Sequence, residues 1–397
     1  MKAEQQYIDL FSQYEDLICQ KSAPALNTLR AKAFSDFEKL GFPSLKGEDY
    51  KYTDVAKAFE PDYGININRV NIPVNPYDVF RCDVPNLSTS LYFVVNDAFY
   101  DKELPKVHMP EGVYVGGLLN FASQYPEIVS RSYGKLADTG KNGIVALNTM
   151  LAQDGFVVYV PKNVVVDKTI QLVNIFRSDV DTMANRRILV IAEENAEVRL
   201  LVCDHSIDDV KFFSNQVVEI FASPNARVDY YDLEESSVST TRFSSLYVKQ
   251  ETSSNVVVNG ITLTNGLTRN NYEVTLEGEG AELSLSGMSV LDKEQQLDTY
   301  TLVDHQVPHC TCNELFKNVL NDQSIGAFSG KILVRQGADK TAADQTNRNL
   351  CVTREARMYS KPQLEIYADD VKCSHGMSTG QLDENTTALH IEHGILI

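Results

Sequence analysis

The 397-residue sequence has no tryptophan and no Cys-x-x-Cys pair. It has no run near the roughly eighteen apolar residues that a spanning helix requires. Without tryptophan, a common platform for sugar rings is missing. The seven cysteines, Cys19, Cys82, Cys203, Cys310, Cys312, Cys351 and Cys373, are odd in number and irregularly spaced, unlike a secreted disulfide framework. They are expected to be reduced thiols. No phosphate loop is present. The nearest string, Gly326 to Lys331, is one residue short and runs into Ile332 where a magnesium-binding hydroxyl is needed, so it is read as a strand turn. The GxGxxG signature is absent too. Basic residues are scarce, 36 against 54 acidic ones, giving −18. That charge repels phosphate backbones and anionic membrane surfaces, so neither nucleic acid nor membrane is an expected partner. Met1 to Gln20 lacks the apolar stretch of a secretory signal, and a cytoplasmic location is expected.

What is present is enough for a large core: hydrophobic residues make up 43%, which argues against a disordered chain. Residues 1–70 read as a helical region. Tyr7, Leu10, Phe11, Tyr14, Leu17 and Ile18 recur at helical spacing. A second helix is predicted from an N-cap at Ser22, with Pro24 in its first turn, to a stop at Gly41. Residues 71–150 are mixed, with a buried strand over Leu91–Val95 and a short helix over Ile144–Leu151. Residues 151–384 are strand-rich, with runs from Phe156–Val160 through Lys331–Val334 broken by Asn, Gly, Asp and Ser. Ala196, Ala226, Ser254 and Ala281 occupy similar turns at steps of 30, 28 and 27, and Gly337-Ala338 and Glu355-Ala356 read as looser copies. A near-constant step of this size indicates a stacked solenoid, each coil turning at a small residue. A β-helix is predicted, with a hairpin-built β-sandwich as the alternative.

Two clusters carry groups able to bind metals. His305, His309, Cys310 and Cys312 fall in HQVPHCTC, whose spacing matches no structural zinc pattern. It reads either as a metal site built on His305, His309 and Cys310 or as a turn with small buried thiols. In an extended strand Cys310 and Cys312 would share a face. The second cluster is Cys373-Ser374-His375-Gly376. On a strand Cys373 and His375 point to the same side, while Gly376 admits another backbone. Two ligands do not close a tetrahedral centre, so the others would come from elsewhere or from a partner; the alternative is a packing cysteine. A carbohydrate-active β-helix would need paired carboxylates, and the neighbours Asp369 and Asp370 would face opposite ways.

The stretch Asp304–Asp383 resembles the SufB/SufD family of iron–sulfur assembly scaffolds, through DHQVPHCTCNELFKNVL, FSGKILVRQGADKTAADQTNRNL and KPQLEIYADDVKCSHGMSTGQLDE. The KCSHG string is similar to the SufD branch. Ala146–Val173 and Glu48–Asp54 add further matches. The resemblance implies a mainly β fold, a right-handed parallel β-helix (a single-stranded solenoid) preceded by helices. It implies a scaffold subunit rather than an enzyme, joined to a SufB-type paralogue and a SufC-type ATPase, with a homodimer for the isolated chain. An iron–sulfur cluster would be held transiently with the partner, at Cys373 and His375, and none is expected in the isolated chain. After Glu384 the family normally continues through further helices that bind the ATPase. Here residues 385–397 read NTTALHIEHGILI, so those helices are expected to be missing or altered.

Overall fold

The computed structural model describes residues 3–80, 88–104 and 107–381. Cys82, Pro105, Leu382–Glu384 and the atypical tail over 385–397 lie outside the described residues. From Phe156 onward the chain winds as a parallel β-solenoid. Successive strands alternate between a ten-stranded and a nine-stranded sheet, and each strand pairs in parallel with the one two places on. The side-chain period of two puts alternate residues into the space between the sheets. Val198, Val228, Val256 and Leu283 therefore stack in one interior column, built by strands in exact register.

The turns explain the repeat. Asn195, Asn225, Ser253, Gly280, His309 and Lys340 all have positive φ. Each is followed by a small buried residue: Ala196, Ala226, Ser254, Ala281, Cys310 and Thr341. A left-handed residue turns the corner, and a small side chain leaves room for the coil beneath. Asn163, Asn195 and Asn225 also bond edge to edge through their amides, at 2.6 and 3.0 Å. Two of the expected repeat copies are displaced: Lys340-Thr341 fills the slot assigned to Gly337-Ala338, and Ala356 precedes a strand of the opposite sheet. Gly326–Lys331 is not a turn; it lies inside the strand Ile325–Val334.

The N-terminal helices cover the outward face of the nine-stranded sheet. Ala3–Gln20 buries Tyr7, Phe11 and Ile18 as the periodicity predicts. The expected second helix is broken in two, Pro24–Asn27 and Arg30–Leu40. Ser22 does not cap it; its hydroxyl accepts from Arg30 Nη2 instead. Arg30 is buried and donates to the carbonyls of Met150 and Ala152, and that inward pull accounts for the break. Phe59 packs on Phe213 and Phe243 of the sheet. Glu219 accepts from the backbone N–H groups of Gly134, Leu136 and Ala137, pinning that loop.

The stack has unlike ends. At its start, Tyr114–Gly117 and Ala98–Phe99 close the sheets as antiparallel strands. At its other end are Arg357–Ile366 and Lys372–Gln381, each paired on one side only among the described residues. Their side chains are mostly exposed or half-exposed, whereas earlier strands bury alternate residues.

Candidate functional site

Towards the last coils one interior column changes from aliphatic to polar. One inward column runs Leu283, Cys312, Ala343, Cys373; its neighbour runs Leu285, Glu314, Gln345, His375. Glu314 and Gln345 are fully buried. Glu314 Oε2 accepts from Thr301 Oγ1 at 2.8 Å and from Gln345 Nε2 at 3.1 Å. Burial pushes the Glu314 carboxyl up to about 7. Beside it, His305 Nε2 lies 3.2 Å from Cys312 Sγ. Burial drives His305 down to about 4 and holds the Cys312 thiol well above its usual range. The pair is therefore a neutral imidazole and a thiol, not an ion pair.

Cys373 and His375 sit at the outer end of these two columns. They share one face of the strand, and that face is the interior one: Cys373 is half-buried and packs on the core, and Ala343 and Gln345 beneath are buried. His375 is exposed because this is the final coil. Burial raises the Cys373 thiol as well. Ser374 points the other way and bonds to Asp344. At Gly376 an added Cβ would meet nothing within 4 Å, so the strand is open to a neighbour there. Sulfur and imidazole on one face are suitable ligands for iron, but they are two donors, not four. Among the described residues, no group of three or more His, Cys, Asp or Glu side chains is placed to hold a metal ion.

The other candidates are not brought together. His309 is the positive-φ corner of its coil and Cys310 the small buried residue after it, so the strand starts only at Thr311. Cys310 Sγ donates to the carbonyl of Gly278 at 3.3 Å. His305 ends the preceding strand and meets Cys312, not His309 or Cys310. Sequence reasoning missed Thr301, Glu314 and Gln345. The signal was available: Cys312 and Glu314, like Ala343 and Gln345, stand two apart at a step of 31.

The described residues form a parallel solenoid whose last coil is paired on one side only among them. The sequence comparisons give its family. The chain belongs to the SufBD family of iron–sulfur cluster assembly proteins. The SufBD protein N-terminal region matches residues 1–172, and the SUF system FeS cluster assembly SufBD core domain matches residues 175–387. An iron–sulfur cluster assembly SufBD family protein of Synechocystis is 28% identical, over 87% of this chain and 77% of its own. The iron–sulfur cluster assembly protein SufD of Escherichia coli is 31% identical over 52% of this chain and 48% of its own. The SufD protein of Bacillus subtilis is 24% identical over 96% and 87%. No helix among the described residues is long and apolar enough to cross a membrane.

Proposed function

We propose that this chain is a non-catalytic, SufD-like scaffold subunit whose terminal strand offers Cys373 and His375 to a nascent iron–sulfur cluster shared with a SufB-type paralogue. One observation carries the reading: the two side chains lie on one face of Lys372–Gln381, a strand paired on one side only among the described residues. Such an edge pairs readily with a strand of a second chain, which would supply the missing ligands. ATP hydrolysis falls to a SufC-type partner, in keeping with the lack of a phosphate loop in this sequence. The cluster is cargo rather than a resident cofactor, and the setting is the cytoplasm.

The test is His375→Ala in a complex reconstituted with the paralogue and the ATPase. Assembly should be unchanged by size-exclusion chromatography, while cluster formed on the complex, read from its visible absorption, should fall several-fold. An undiminished cluster yield would overturn the assignment.

A further inference from the structure

The segment Glu48–Thr53 crosses the outward face of the nine-stranded sheet, over four neighbouring strands. Arg269, Asp298, Ala327 and Tyr359 are partners from strand to strand and form one column. They face outward, because Val274, Val303, Ile332 and Leu364, at the opposite parity on the same strands, pack in the core. The segment touches three of the four. The Arg269 guanidinium lies 4.5 Å from the centroid of the Tyr50 ring. Thr53 Oγ1 donates to Asp298 Oδ2 at 2.6 Å, and the neighbouring Tyr52 carbonyl accepts from Gln296 Nε2 at 2.7 Å. The Tyr52 ring stacks on Tyr359, with centroids 4.4 Å apart and planes 17° from parallel. Ala327, the small residue between, is buried although it faces outward. Beside the column, Glu48 pairs with Lys361 at 2.8 Å, across 313 positions of chain.

These contacts end on the last strand of that sheet, Arg357–Ile366, which is paired on one side only among the described residues. A strand with one neighbour opens locally more readily than one with two. The other terminal strand, Lys372–Gln381, shows the contrast. Its side-chain hydrogen bonds reach only the coil beneath, to Asp344, Asn349 and Thr353 among the described residues. Nearly all its residues are exposed, whereas most of Arg357–Ile366 is half-buried. The Glu48–Lys361 pair is itself exposed and adds little. The stacked rings and the bond to buried Asp298 do the holding.

We propose that Glu48–Thr53 is a strap, with Tyr52 and Thr53 as its positioning residues, that fixes Arg357–Ile366 in place for the partner chain and leaves Lys372–Gln381 compliant. The partner then meets one ordered edge, and association loses less to ordering that strand. Apparent affinity scales with the fraction of chains whose strand is already in place, so loosening the strap weakens binding without removing any contact with the partner. This rests on the reading that the terminal coil meets a SufB-type paralogue. It does not depend on which residues hold the cluster, and the His375→Ala experiment decides that point separately.

Amide hydrogen exchange of the full chain, read by mass spectrometry, tests the strap without a partner. In the parent, Arg357–Ile366 should exchange more slowly than Lys372–Gln381. Tyr52→Ala should speed exchange of residues 357–366 about three- to tenfold and leave the middle strand Thr240–Gln250 unchanged. Tyr52→Phe keeps the ring and should restore the parent rate. Circular dichroism verifies each variant's fold, and Tyr359→Ala decides if Tyr52→Ala does not fold. Affinity for the paralogue, measured by interferometry, should fall at least about twofold in Tyr52→Ala and recover in Tyr52→Phe. The proposal is overturned if the two terminal strands of the parent exchange alike, if residues 357–366 keep the parent rate in Tyr52→Ala, if Tyr52→Phe does not restore it, or if the loosened chain binds the paralogue undiminished. A parent chain that does not bind the paralogue overturns the docking reading and the strap's role with it, whatever the exchange rates.

Discussion

His305 Nε2 stands 3.2 Å from Cys312 Sγ inside the solenoid, with both residues buried. The low imidazole and raised thiol values make Cys312 a poor nucleophile despite its histidine neighbour. Alkylation by iodoacetamide at pH 8, followed by mass spectrometry, should therefore modify Cys373 and Cys19, which are half-buried, well before Cys312 and Cys310. The buried pair should be protected at least about a hundredfold relative to the unfolded chain. Equal rates for Cys312 and Cys373 would contradict this arrangement.

Glu314 makes stability depend on pH in a definite direction. Its carboxyl is raised in the folded state to about 7 from 4.5, so the folded protein holds a proton that the unfolded chain releases in that window. The contribution is complete below pH 4.5 and is lost as pH rises through 7. The full change corresponds to about 3 kcal/mol. Glu314→Gln should match the parent at low pH and exceed it by that order at pH 8 in urea melts. Some slope will persist, since burial also brings Glu234 to about 7.

Arg242 faces three carboxylates within the middle coils: Asp204 at 2.8 Å, Asp232 in direct contact and Glu234 at 3.8 Å. Arg186 also pairs with Asp204 at 2.9 Å, but removing Arg242 strands buried charge at Asp232 and Glu234, which typically costs about 3–5 kcal/mol. Arg242→Met should lower stability by about that amount. Adding Asp232→Asn on the same background should recover part of it, since Asp204 keeps Arg186 as its partner, and an absence of recovery would show that packing, not charge, was lost.

The helix Gly143–Leu151 approaches the corner at Gly41 so closely that a Cβ at residue 143 would sit 1.8 Å from the Gly41 carbonyl oxygen. Gly143→Ala should destabilise the docking of the N-terminal layer by about 2 kcal/mol or more. Proteolysis of residues 1–60 should accelerate in that variant before the solenoid melts.

The strands that sequence patterning found, such as Val256–Thr264, carry aliphatic residues on their inward face. Those it passed over, such as Ala342–Cys351, carry Gln345 and Asn347 inward, so their alternation is not one of hydrophobic and polar. Arg242, Asp204 and Asp232 were invisible as interior residues for the same reason: each is buried only because another coil supplies the opposite charge.

Local chemistry alone determined the first amphipathic helix, the coil length of about thirty residues and the shared face of Cys373 and His375, because helical period, turn spacing and strand parity all act over neighbouring positions. Tertiary structure decided which coil lies on which. It made His309 and Cys310 a corner, joined His305 to Cys312, and left His375 exposed above a column of buried polar groups. Those outcomes depend on register between residues some thirty positions apart, where the exact length of each turn selects the neighbour, and no local pattern in the chain encodes that choice.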